Sequence, residues 1–115
     1  MSARVMSHLV SHFPDLEGSL ETARALVDGG SAYLELQFPF SDPVADGPAI
    51  QEACSRALGA GFTTPGGFRV AESIVSRLAV PLFVMCYANT VFFHGMDTFV
   101  KRCADTGVHG LIVPD

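Results

Sequence analysis

The apolar positions of this chain alternate between a period of two and a period near 3.6. Val5 to Ser11 reads as a short strand, broken by Pro14-Asp15. Leu16, Leu20, Ala23 and Val27 then recur at helical spacing, and Gly29-Gly30 supplies the stop. Ala32 to Phe38 is a second strand, followed by a loop from Pro39 to Pro48 rich in proline, aspartate and glycine. Ile50, Ala53, Cys54, Ala57 and Leu58 mark a second helix, ended by Gly59 and Gly61. Thr64 is the predicted N-cap of a third helix, with Pro65 at its first position and Phe68, Ala71, Ile74, Val75 and Leu78 as its stripe. Gly66-Gly67 weakens the first turn of that helix. Pro81 to Tyr87 is apolar throughout, as a strand buried on both faces should be. Asn89 to Gly95 reads as a loop, Met96, Phe99, Val100 and Cys103 as a helical stripe capped by Gly107, and Gly110 to Val113 as a fourth strand.

This β-α-β-α-β-α-β order implies an α/β fold, with a parallel sheet covered by helices. No linker or low-complexity stretch divides residues 1–115, which read as one domain. Four strands are half of an eight-stranded (β/α)8 TIM barrel, a fold of about 250 residues. An isolated half leaves two open edges and an apolar sheet face in water. The expected architecture is therefore the first half of such a barrel, about four βα units, in a truncated chain. A small open α/β domain is the competing architecture.

Composition narrows the function classes. Hydrophobic residues make up 49% and charged residues 17%, which suits a globular chain rather than a disordered one. The net charge is -5 and the seven Lys and Arg are scattered, so nucleic-acid binding is not expected. The stretch Met1 to Val10 does not read as a signal peptide, and Leu78 to Ala88 is too short to span a bilayer. Cys54, Cys86 and Cys103 are odd in number and widely spaced, which argues against disulfides and zinc and fits a reducing cytoplasm. His8, His12, His94 and His109 show no ligand spacing, so no metal site is expected.

In parallel α/β folds, ligands bind at the carboxyl ends of the strands. Pro39 to Pro48, Tyr87 to Gly95 and Pro114-Asp115 fall there. Within the second strand, Leu34, Leu36 and Phe38 share one face and suit the helix layer. Tyr33, Glu35 and Gln37 share the other, which points into a barrel. A partly desolvated carboxylate at Glu35 can hold or accept a proton near neutral pH. A buried glutamate paired with a cation or an amide is the alternative. Asp42 and Asp46 lie on a proline-stiffened loop, where Asp42 has a simple role as a turn cap. Tyr87 and Asn89 end the third strand and could line a pocket. The chain carries no nucleotide-binding glycine fingerprint and no nucleophile elbow.

The string ELQFPFSDPVADGP, from Glu35 to Pro48, resembles the signature L-E-L-G-x-P-F-S-D-P-x-A-D-G-P of tryptophan synthase alpha chains. FPDLEGSLETARALVDGG, IQEACSRALGAGFT, MCYANTVFFHG and GLIVPD extend the similarity along nearly the whole chain. The resemblance implies a (β/α)8 barrel that cleaves indole-3-glycerol phosphate to indole and glyceraldehyde 3-phosphate by a retro-aldol step. It implies Glu35 and Asp46 as catalytic residues and Tyr87 and Asp115 as substrate-binding ones. It also implies a tryptophan synthase beta chain as partner in an alpha2-beta2 complex. The cofactor, pyridoxal phosphate, belongs to that partner, and none is expected in this chain. The Pro39 to Pro48 loop resembles the segment that closes over substrate and touches the beta chain.

The chain departs from the family pattern in three places. Gln37 stands where the family has glycine, two residues after the glutamate, and if it faces inward it adds bulk and a hydrogen-bonding group near Glu35. Val10-Ser11-His12-Phe13 is bulkier than the family's small turn after the first strand, and the helix before that strand is short or missing. The phosphate grip of barrel enzymes comes from loops after strands 7 and 8, so these residues alone are expected to be inactive. The rivals are another phosphosugar barrel enzyme and a non-enzymatic half-barrel that associates with another chain. The first needs a lysine or histidine ligands at strand ends, and Lys101 lies on a helix.

Overall fold

A computed structural model describes residues 3–115; Met1 and Ser2, at the start of the stretch read against a signal peptide, lie outside the described residues. The elements run β1 (Met6–Val10), α1 (Leu16–Asp28), β2 (Tyr33–Gln37), α2 (Pro48–Gly59), α3 (Thr64–Arg77), β3 (Leu82–Met85), α4 (Ala88–His94), α5 (Met96–Thr106) and β4 (Gly110–Ile112). The four strands form one sheet in the order β1-β2-β3-β4, and every pairing is parallel. This is the α/β half-barrel that the alternation predicts.

Side-chain parity decides which face is core. Leu34, Leu36 and Phe38 of β2 and the residue after it are fully buried, as are Val84 and Cys86 from β3 and its end. They pack with Ala23 of α1, Phe68, Ala71 and Ile74 of α3, and Phe99 of α5. Phe38 lies edge-on to Phe68 and Phe99, with ring centroids 5.2 and 6.3 Å away. Truncating such a ring to alanine costs about 3–5 kcal/mol. The opposite face carries the row His8, Glu35, Phe83 and Gly110 in register across all four strands. It is open along its middle, and α2 and the Pro39–Pro48 loop close it only at the carboxyl end, over Val10 and Gln37.

Several boundaries differ from those expected. Thr63, not Thr64, caps α3: its Oγ1 accepts the Gly66 N–H at 3.1 Å, and Thr64 is already helical. Gly67 has a packing reason, because a Cβ there would stand 2.8–2.9 Å from the Phe62 and Phe38 rings. The helix thus trades intrinsic propensity for a close approach to the aromatic core. Gly107 ends α5 in the left-handed region at φ 88°, as the sequence suggests. In α1 the buried positions are Ser19 and Ala23, while Leu16 is exposed; Ser19 Oγ donates to the Leu16 carbonyl at 2.8 Å. The expected loop from Asn89 to Gly95 is largely the short helix α4, which seven residues of weak helical period do not announce.

Candidate active site

Glu35 stands in the middle of β2, flanked in register by His8 on β1 and Phe83 on β3. Parity turns its side chain away from the helix layer, onto the open face. It is half-buried, and among the described residues no ion pair reaches it. The paired-glutamate alternative thus finds no cation partner.

Asp46 approaches the same face from the loop after β2. Short backbone bonds shape that loop: Val44 N–H donates to the Asp42 carbonyl at 2.9 Å and Asp46 N–H to the Pro43 carbonyl at 3.0 Å. The Gln51 amide of α2 donates to the Asp46 carbonyl at 2.8 Å. One carboxylate oxygen, Oδ2, accepts from Gln37 Nε2 and from the Tyr87 hydroxyl, both at 2.9 Å. Asp42 is exposed and contributes its backbone to the turn.

Tyr87 is 1% exposed and its ring stacks on Phe40, with centroids 5.4 Å apart. Its hydroxyl donates to Asp46 and accepts the Ala45 N–H at 3.0 Å. Burial, and then the bond to the Asp46 carboxylate, push the phenol above its ordinary range, so it stays protonated as a donor. Asp115 follows β4, is exposed, and accepts the Ala88 N–H at 2.9 Å, which fixes the first turn of α4. Asn89 is exposed and lines a shallow groove of about 240 Å³ with Phe40, Thr64, Thr90 and Phe93.

The structure thus brings Asp46 and Tyr87 into direct contact and sets Glu35 on the face that their end of the sheet overhangs. It also shows the partners of Gln37, which parity places on this face, and it adds His8. Gln37 is fully buried, and its Oε1 lies 2.7 Å from His8 Nε2. Only the β1–β2 register, which places Val10 beside Gln37 and His8 beside Glu35, brings His8 within reach.

Cys54, Cys86 and Cys103 are buried and form no disulfide. Burial pushes the Cys86 thiol up to about 12, helped by Cys103 and Asp115, and burial pushes Cys103 up to about 11. Among the described residues no group of three or more His, Cys, Asp or Glu could hold a metal ion, and no helix is long and apolar enough to cross a membrane. A groove of about 200 Å³ between α1 and α3, lined by Glu17, Arg24 and Arg77 among others, lies on the helix layer away from the strand ends.

Comparison with known proteins agrees with this geometry. The family model described as tryptophan synthase alpha chain matches residues 2–115. The tryptophan synthase alpha chain of Lacticaseibacillus casei is 46% identical over 93% of this chain and 40% of its own length. That of Helicobacter hepaticus is 37% identical over 97% of this chain and 44% of its own. Among solved structures, tryptophan synthase from M. tuberculosis superposes with a TM-score of 0.93 at 35% identity, covering 98% of this chain and 45% of that one. The tryptophan synthase A-subunit of Pyrococcus furiosus gives 0.92 at 33% identity, again over 45% of its chain. This chain therefore spans less than half the length of the relatives it matches. With its half-barrel of four parallel strands and five helices and the Glu35–Pro48 segment running from β2 into the loop after it, the chain belongs to the tryptophan synthase alpha chain family.

Proposed function

We propose that this chain supplies the proton-transfer groups of a carbon–carbon lyase that cleaves indole-3-glycerol phosphate to indole and glyceraldehyde 3-phosphate. One observation carries the reading: two carboxyl groups of unlike setting are brought to the same face of the sheet, Glu35 from the middle of β2 and Asp46 at its carboxyl end. Among the described residues no cation pairs with Glu35 on the open face, and Asp46 is tied to two buried donors beyond it.

The reaction needs two proton movements that cancel. Glu35, protonated, gives its proton to indole C3. The ring nitrogen becomes electron-poor, and ionised Asp46 stabilises it by accepting the N–H hydrogen bond. The Glu35 carboxylate then takes the proton of the side-chain hydroxyl. That oxygen forms the carbonyl, the C3–carbon bond breaks, and its electron pair returns to the ring. General acid–base catalysis of this kind contributes about 10²–10⁴-fold, and one aimed electrostatic partner about 10²–10³-fold. Tyr87 acts by holding the Asp46 carboxylate in place. Asp115, at the end of β4, fixes the α4 rim beside the substrate. Both steps are proton transfers, so this chain needs no cofactor of its own. Pyridoxal phosphate belongs to the partner, a tryptophan synthase beta chain, in an alpha2-beta2 assembly in the cytoplasm.

The test is indole release from indole-3-glycerol phosphate by a completed barrel, this chain followed by the rest of the L. casei relative from the helix after its fourth strand onward. Turnover is expected there and not from the 115 residues alone. A folded but inactive completed barrel overturns the lyase reading, and turnover by the 115 residues alone overturns the need for the missing phosphate loops.

A further inference from the structure

We propose that Gln37 is a positioning residue that latches Asp46 to the sheet and passes the hold on to His8. This rests on the lyase reading for its functional meaning, but the latch itself stands on geometry.

Gln37 is a fully buried polar side chain at the carboxyl end of β2, between Val10 of β1 and Met85 of β3. Its amide nitrogen donates to Asp46 Oδ2 at 2.9 Å and lies 3.5 Å from Cys54 Sγ on α2. Its amide oxygen lies 2.7 Å from His8 Nε2. An ionised carboxylate only accepts, so Asp46 settles which end of the amide is nitrogen. The oxygen must then face His8, and His8 must carry a proton on Nε2. The result is one directed chain of hydrogen bonds, from His8 on β1 through Gln37 on β2 to Asp46 on the loop. Tyr87, from the end of β3, closes on the same oxygen.

The consequence is geometric. Two donors on Oδ2 fix both the position and the rotation of the carboxylate, and Oδ1 takes part in neither bond. Gln37 also shares its strand and face with Glu35, two residues earlier. The residue that holds Asp46 is thereby built on the same rigid strand as the proton donor. A glycine at position 37 would leave Asp46 to Tyr87 alone. Misplacing a catalytic group by about 1 Å costs up to about 10²-fold in rate, so the loss should fall on kcat rather than on KM.

The experiment compares the completed barrel with its Gln37→Met variant, which keeps the volume and loses the donor and acceptor. The latch predicts a kcat for indole release lower by about tenfold to a hundredfold, with KM within about twofold. It also predicts loss of the Nε2–H bias in the His8 ¹⁵N spectrum. Backbone order parameters over 44–47 should fall from about 0.85 towards 0.6. Unchanged His8 and loop signals overturn the latch, as does an unchanged kcat in an active barrel. If the parent barrel releases no indole, the lyase reading fails and the two NMR readouts alone decide the latch. If Gln37→Met does not fold, Asp46→Ala tests the chain from its other end. There the Gln37 side-chain amide resonances must move and the His8 tautomer bias must weaken; constancy of both overturns the proposal.

Discussion

Replacing Asp46 with alanine should destabilise the protein far more than its half-exposed position suggests. The carboxylate is the acceptor for two donors that cannot reach solvent on their own side: the Gln37 amide, fully buried, and the Tyr87 hydroxyl, on a residue 1% exposed. A buried donor left without a partner costs about 1–3 kcal/mol. Two of them set a range of about 2–6 kcal/mol. Water entering from the exposed side of the loop brings the expected loss to the lower half, about 2–4 kcal/mol. Asp46→Asn keeps an oxygen acceptor for either donor and should cost less than about 1 kcal/mol. Urea unfolding followed by circular dichroism measures both. With a slope of about 1–3 kcal/mol per molar urea, Asp46→Ala should lower the midpoint by about 0.7 M or more and Asp46→Asn by much less. In the completed barrel, both variants should lose indole release, because neither carries the negative charge. Equal midpoints for wild type and Asp46→Ala would refute the claim that the loop carboxylate satisfies the buried donors.

The remaining predictions are simpler. Thr63→Ala should cost about 1 kcal/mol by removing the cap on Gly66, while Thr64→Ala should stay within about 0.5 kcal/mol; thermal melts of the two variants check this. Burial, and then Arg69, hold the His12 imidazole below its ordinary value of 6.5. The unfolded chain therefore binds the proton first as pH falls below 6.5, so stability is present above that pH and is lost on acidification through the folded value. His12→Asn, which tolerates the backbone φ of 66°, should flatten the change in unfolding free energy between pH 7.5 and pH 5.5.

Much of the fold is legible in the sequence because the periodic elements are long and their stops are glycines. Leu34, Leu36 and Phe38 declare a buried face within five residues, and the same parity puts Glu35 and Gln37 on the other face. What the sequence hides depends on tertiary partners. Helix α4 has an Asn-Thr-Val-Phe-Phe run with poor helix formers, and its first turn is fixed by Asp115, 27 residues away. Thr63 and Thr64 are both acceptable caps on local grounds, and only the bond to Gly66 separates them. At the site, the motif supplies Glu35 and Asp46, but the contacts of Tyr87 and Gln37 with Asp46 span 41 and 9 residues. His8 carries no local signal, because its partner is set by strand register.

The most direct measurement is the rate of indole release by the completed barrel carrying Glu35→Gln, with the fold checked by circular dichroism on the same sample. Gln keeps the shape of the side chain but cannot give up or take a proton as a carboxyl does. The account predicts a folded protein whose kcat is lower by at least about 10²-fold. A folded variant that releases indole at close to the parent rate would contradict it.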